Sequence, residues 1–432
     1  MLRSLLLASA AAFALLGCGG SEDAAAPPET TTATSTQAAP PAEEGLLAVW
    51  NDLEGGELFW ADAETLEPVD GRSVSFSYYY SAVDRSPDGS ALALGADTRG
   101  YVQIVDLERM KAVGTIDVGG RTEGYFERLN WVAPKLLLAS VSGLPSRAVA
   151  LDPATRQVVS EHELEGTVVS SHSVEGSLVF LLAPPDRIGP AKLAVFDGSE
   201  VRSTALGEIQ AGWEQEGETE EDFRSRQSIP GLAVEPSGSR ALVVPAGNRV
   251  AEVDLETLEV RYHELSEPVS LLGRLRDWLQ PAAHAKTIDG PDRNAVWLES
   301  GLVAVSGANY AADGERLEVE PAGLMLIDPS DWSVRRVGDE AAQVAVRGDT
   351  LLASWWQGDE SGEAGVVALD LEGNERFRLT SGELVEFSYT AGGRLYAAGN
   401  EGRLYELIDL ATGETVGRAT PERPAWLVYF EE

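Results

Sequence analysis

Residues able to do covalent or metal chemistry are few in this chain. Its one cysteine is Cys18, and its four histidines, His162, His172, His263 and His284, are widely scattered. The sequence has no Cys–His arrangement, no nucleophile elbow, no phosphate-binding glycine loop and no alternating-aspartate calcium loop. A lone thiol excludes a disulfide framework and a thiolate metal cluster. Carboxylates are plentiful, with 70 Asp plus Glu against 33 Lys plus Arg and a net charge of −37, but no spacing singles out an acid–base pair. Like charges repel at long range, so no nucleic-acid partner is expected, and the residues call for no cofactor and no metal.

What does recur is an aspartate. Several apolar residues lead to Asp, then Leu or Pro, then polar residues and a further apolar stretch. The phrase stands at Asp106 (VDLERMKAV), Asp152 (LDPATRQVV), Asp254 (VDLETLEVR), Asp328 (IDPSDWSVR), Asp370 (LDLEGNERF) and Asp409 (IDLATGETV), with weaker copies at Asp62 and Asp197. Successive aspartates lie 44, 46, 45, 57, 74, 42 and 39 residues apart. A carboxylate at a strand end can take backbone N–H groups two or three residues on and tighten a hairpin. All eight aspartates are therefore read as structural turn residues. Earlier turns (Ser86 to Gly89, Pro236 to Ser239, Ala391 to Gly393) divide the units further into strand A, tight turn, strand B, variable loop, strand C, Asp turn and strand D. A period near 45 residues with four strands per unit predicts an all-β β-propeller. Eight blades are preferred and seven are possible if the Asp62 copy is incomplete. The first unit lacks a strand A, and a spare strand at Ala425 to Phe430 is expected to complete it and close the ring.

The N-terminus reads differently. Arg3 precedes an apolar stretch from Leu5 to Leu16, and Leu15-Leu16-Gly17-Cys18 follows. This is a secretion signal too short to span a bilayer. It resembles the bacterial lipobox, and the resemblance implies lipidation of Cys18 after cleavage of residues 1–17. An ordinary secretory signal that contains a cysteine is the other reading. Residues 18–45 form an Ala/Pro/Thr/Ser/Glu tract unable to bury a core, hence a tether, and 46–432 make the propeller domain. Two or more acyl chains give stable anchoring where one would be marginal.

The repeats resemble bacterial YVTN/WD40-like and quinoprotein-like propellers. Asp409, Thr412 and Gly413 match the quinoprotein docking phrase, but Gly417 stands at its Trp position and the chain lacks the adjacent cysteines of that family. In such blades the B–C and D–A loops share one face, the one that usually binds ligands. The long segments 207–228, 265–293, 307–323 and 357–365 all belong to that class. Within them, Glu214 to Asp222 has six acids and no base, a solvated loop or a cationic-partner site. Ser270 to Gln280 predicts an amphipathic helix, either packed on the disc or presented to a partner or membrane with Arg274 and Arg276. Trp213, Trp278, Tyr310, Trp355 and Trp356 are candidate partner-binding residues, although Trp355 and Trp356 end a strand and one of them should be core. The expectation is a lipid-anchored extracytoplasmic propeller that binds a protein or glycan through this face. The alternative is a lactonase-like or quinoprotein-like enzyme with its site at the central channel.

Overall fold

Runs of four to six apolar residues bounded by Gly, Pro, Asp and Ser suit strands covered on both faces. The computed structural model describes residues 46–52, 55–96, 100–119, 125–143, 145–174, 176–216, 224–266, 287–313, 316–355, 364–381, 386–399 and 402–428. All regular elements among them are strands. No helix among the described residues is long and apolar enough to cross a membrane. Cys18, the tether, the Ser270 to Gln280 segment with Trp278, and Trp356 lie outside the described residues.

The chain forms a β-propeller with six separate four-stranded antiparallel blades, carrying Asp62, Asp106, Asp152, Asp254, Asp370 and Asp409. In the second repeat, for example, Tyr80–Arg85, Ala91–Ala96, Tyr101–Asp106 and Lys111–Asp117 lie side by side in chain order. In the first repeat, Leu46–Asp52, Gly55–Ala61 and Pro68–Phe76 occupy three places. Trp426–Leu427 takes the fourth, with Val49 opposite Trp426 and Ala48 opposite Leu427. The repeats of Asp197 and Asp328 merge instead into one ten-stranded sheet. That sheet contains the run Thr167–Val174, Ser177–Ala183, Gly189–Phe196, Val201–Glu216 and the run Thr287–Trp297, Val303–Asp313, Leu324–Asp328, Ser333–Gly338, linked by Arg224–Ser228.

The core is distributed in layers between consecutive repeats. Ala93, Val102 and Ile104 of the second repeat pack with Phe126, Leu129 and Leu137 of the third. Leu352, Val366 and Phe377 of the seventh meet Leu395 and Ile408 of the eighth. Leu46, Ala48 and Phe59 of the first meet Tyr396, Tyr405 and Leu407 of the eighth. Middle strands are therefore covered on both sides, as in Leu136–Val141 and Arg147–Asp152, whereas the outer strand Gln157–Glu163 is largely exposed. Charges on that outer strand discourage edge-to-edge pairing with another chain.

The Asp turns supply the contacts that lock one repeat to the next. The Oδ1 atoms of Asp62, Asp106, Asp152, Asp197, Asp254, Asp328, Asp370 and Asp409 accept backbone N–H bonds from two to four residues ahead at 2.7–3.2 Å. The backbone N–H groups of Thr65, Thr257 and Thr412 hold Asp62, Asp254 and Asp409 below the usual carboxylate range. Four residues after the Asp, the chain turns left-handed at Leu66, Met110, Arg156, Leu258 and Trp332, with φ between 45° and 61°. This conformation is costly for residues with a Cβ. It aims each side chain at the preceding repeat: Leu66 packs with Tyr396, and Trp332 stacks on His263 at 3.7 Å.

Candidate functional site

The long segments of the fourth and sixth repeats are largely ordered strand. Val201–Glu216 pairs with Gly189–Phe196 as far as Ala211, then continues outward, and its Gly212–Glu216 half pairs with Arg224–Ser228. Arg224–Arg226 runs parallel to Thr287–Asp289, Gly290–Asp292 pairs with Ala308–Tyr310, and Arg316–Pro321 closes the outer edge against Ala308–Asp313. These extensions form an apron built wholly from D–A and B–C connections, tying the fourth repeat to the sixth past the fifth. Gly290 permits the crossing: its φ is +125°, and a Cβ there would stand 2.0 Å from the Gln227 carbonyl oxygen.

The apron is pinned by Arg293, which is 3% exposed. Its Nη1 donates to the carbonyls of Asp292 (2.9 Å) and Ala308 (2.8 Å), and its Nη2 donates to Asn309 Oδ1 (2.7 Å). Burial lowers the guanidinium pKa to about 10, opposed by Asp292, so it stays charged at neutral pH. Burial likewise pushes Asp292 up to about 6, with Arg293 pulling it back.

Trp213 and Tyr310 both lie on the apron, half-buried, Trp213 opposite Gln227 and Tyr310 between Gly290 and Val319. Trp355 is not on it. It is 5% exposed and belongs to the layer between the sixth and seventh repeats. Of the five candidate aromatics, the structure thus brings two onto one surface and places a third in the core. The core position is a correction to Trp355 as an exposed contact residue: Gly365 opposite it carries no side chain, so the indole lies flat across the neighbouring strand.

Two groups of the same face escaped the sequence reading. One is aromatic: Phe76 meets Tyr80 edge-on at 4.5 Å and Tyr78 meets Tyr101 at 5.2 Å, while the Tyr80 hydroxyl donates to Gln103. The run Ser77-Tyr78-Tyr79-Tyr80-Ser81 in a D–A connection was its available signal. The other is Glu127. It sits at a β-bulge near the start of the axis-side strand Phe126–Ala133, between Phe126 opposite Val141 and Arg128 opposite Ser140. Burial pushes its carboxyl up to about 7, against hydrogen bonds from Ser142 and Tyr125. Bulges re-aim side chains and favour functional sites, but nothing in the local sequence marks this one.

The axis-side strands are joined by polar contacts. Ser81 Oγ donates to the Phe126 carbonyl (2.7 Å), Arg128 Nε to Ser171 Oγ (3.3 Å) and Asn294 Nδ2 to the Val344 carbonyl (3.1 Å). His162 and His263 lie on outer strands, and His263 Nε2 is 2.9 Å from Glu252. Among the described residues no group of three or more His, Cys, Asp or Glu is placed to hold a metal ion.

No family model and no curated relative matches this chain. Solved structures do. Dihydro-heme d1 dehydrogenase NirN, solved in complex with DHE, is similar over 88% of this chain and 74% of its own at 14% identity and a TM-score of 0.56. Sqt1 of Saccharomyces cerevisiae is similar over 89% and 90% at 9% identity and a TM-score of 0.50. BamB of Moraxella catarrhalis covers 81% and 92% at 11% identity, with a TM-score of 0.42. At these identities the first two likenesses speak for the propeller fold alone.

Proposed function

We propose that this chain is an extracytoplasmic lipoprotein whose β-propeller binds a protein or glycan through the face that carries the apron. The single observation that carries the reading is the apron itself. Five strand segments drawn from two repeats extend on the ligand-binding side of the disc, pinned by a buried arginine, while the connections on the opposite side stay short. Order of that kind costs backbone entropy. A rigid raised surface bearing Trp213 and Tyr310 suits recognition, since aromatic side chains offer large contact area at low entropic cost.

The domain reading goes with it: residues 1–17 as signal, 18–45 as lipidated tether and 46–432 as an eight-bladed ring. In favour of eight blades stand the eight Asp turns and the two four-strand runs inside the ten-stranded sheet. In favour of closure by the C-terminal strand stand its pairing to Leu46–Asp52 and the apolar layer between the first and eighth repeats. A strongly acidic domain is repelled by anionic lipid, so the tether and the charge together hold it off the membrane.

Two experiments test this. Cys18→Ala should move the protein from the membrane fraction to the soluble extracytoplasmic fraction; retention on the membrane refutes anchoring through Cys18. Cross-linking and pull-down from intact membranes should recover a partner with the wild type and lose it when Gly212–Ser228 is replaced by a two-residue turn. An unchanged set of partners refutes the apron as the binding surface.

A second reading, catalysis at the central channel, is favoured by Glu127, which a β-bulge sets near the start of an axis-side strand. Burial raises this recessed carboxyl toward neutrality, where a general acid or base works best. A screen of lactone and ester substrates with wild type and Glu127→Gln decides it: hydrolysis abolished by the substitution supports catalysis, and absence of turnover with both removes it.

A further inference from the structure

The apron has two edges, and they end differently. At one, Gly212–Glu216 is engaged by the chain beside it: Ile188 N–H donates to Glu214 Oε1 (3.2 Å), and a Cβ on Gly212 would stand 2.4 Å from the Arg187 carbonyl oxygen. At the other, Arg316–Pro321 pairs on one side with Ala308–Asp313, and among the described residues no strand pairs with its outer side. The outer strand of that repeat, Ser333–Gly338, stops opposite Leu324 and so leaves this extension unaccompanied. The register also shows which groups face outward. Ala322 N–H donates to the Gly307 carbonyl (2.7 Å), and bonded pairs recur at every second residue of an antiparallel ladder. Glu320, Glu318 and Arg316 therefore turn their main-chain groups toward the neighbouring strand, whereas Val319 and Leu317 turn theirs away from it. Pro321, which has no N–H, falls on the outward side as well, where it costs no ladder bond. The ladder is regular throughout. The outer strands of the first, second, third, sixth, seventh and eighth repeats instead join their neighbours through a β-bulge, a device that twists an edge away from other chains.

We infer that Arg316–Pro321 is a docking edge for a basic, extended peptide segment of a partner protein, which adds to the apron as a further β-strand. The inference rests on the apron as the partner-binding surface and narrows the partner to a protein that offers a strand. Main-chain bonds to Leu317 and Val319 supply affinity, and alternate side chains of the incoming strand supply selectivity. Charge chooses among strands. The edge reads Arg-Leu-Glu-Val-Glu-Pro, two carboxylates to one guanidinium, in a chain of net charge −37. A strand rich in Lys or Arg is drawn in at long range and sets a cation beside Glu320, which solvent reaches. A second copy of this chain carries the same charge and is repelled.

The test uses the full chain and a fluorescent heptapeptide that alternates Lys and Val, beginning and ending on Lys. Anisotropy reads binding, and hydrogen exchange is followed over 316–321. Saturable binding at about millimolar concentration or below is expected, with slowed exchange in that segment. The same peptide N-methylated on its three central residues lacks the main-chain donors and should not bind, nor should a counterpart with Glu in place of Lys. Val319→Pro removes one outward N–H and leaves the bonds to Ala308–Asp313 in place, so binding should weaken by about tenfold or more; Val319→Ala keeps the main chain and should bind within about twofold of wild type. No saturable binding, equal binding of the N-methylated peptide, or binding unchanged in Val319→Pro would each overturn strand addition at this edge. A dimer of the free chain that Val319→Pro dissociates would overturn it too, by giving the edge to a second copy. Each of these outcomes is separate from the loss of partners on replacing Gly212–Ser228, which tests the apron itself.

Discussion

Glu127→Gln isolates the cost of holding a carboxylate beside the axis of the propeller. The folded side chain titrates at about 7, against 4.5 for an ordinary glutamate, because burial disfavours its charged form more than Ser142, Tyr125 and Arg128 favour it. Below pH 4.5 both folded and unfolded chains carry the proton and the site costs nothing. As the pH rises from 4.5 to 7 the unfolded chain releases its proton first, so stability falls through that window and stays lowered above it. A gap of that width corresponds to at most about 3 kcal/mol. Atoms crowd the carboxyl closely, yet the residue is still partly reached by solvent, so about 1–2 kcal/mol is the working figure. Glutamine keeps the shape and cannot ionise. Its steric and hydrogen-bonding cost is the same at every pH and cancels in a comparison between two pH values. Urea unfolding of wild type and Glu127→Gln at pH 4.5 and pH 8 should therefore show the variant gaining about 1–2 kcal/mol relative to wild type between the first pH and the second. An equal difference between the two proteins at both pH values would refute the claim that Glu127 is held near neutrality by burial.

Other expectations follow from the same geometry. Removing the residues after Pro424 strips the burial of Ala425, Leu427 and Val428 from the first repeat and should cost about 4 kcal/mol, read as a lowered urea midpoint; a midpoint unchanged from wild type refutes a structural role for that strand. Arg293→Met removes the hydrogen bonds that Arg293 donates to the Ala308 carbonyl and Asn309 Oδ1 and should cost about 3 kcal/mol. Hydrogen exchange should then accelerate in 307–313 before it does in the second and third repeats. Trp332→Ala removes the stack on His263 and should cost about 2 kcal/mol, seen as a lowered thermal midpoint. Glu235 is held at about 2, first by its hydrogen bond from Arg240, so its stabilisation is present above pH 4.5 and lost as the pH falls toward 2. Glu235→Gln should flatten the acid limb of the stability curve relative to wild type.

How much was readable in one dimension depends on the range of the interaction. The Asp turns are local: each carboxylate and the N–H groups it accepts lie within four residues, so a repeated phrase carries them. The alternation of buried middle strands and exposed outer strands is also local, and it marked the fold class and the class of loop in which the insertions fall. Glu127 was hidden because a bulge is a mismatch between two strands, visible only once Phe126 and Arg128 are set against Val141 and Ser140. Trp355 was ambiguous for a similar reason. Its burial depends on Gly365 across the sheet and on the layer between two repeats.

By itself, then, the sequence determined the repeat, its turns, the strand order within a unit and the acidic character of the surface, because each follows from neighbours in the chain or from composition. Only the tertiary structure decided that the insertions pair into an apron held by Arg293. That outcome rests on contacts between strands from different repeats. The chain leaves it unspecified until the repeats are packed side by side.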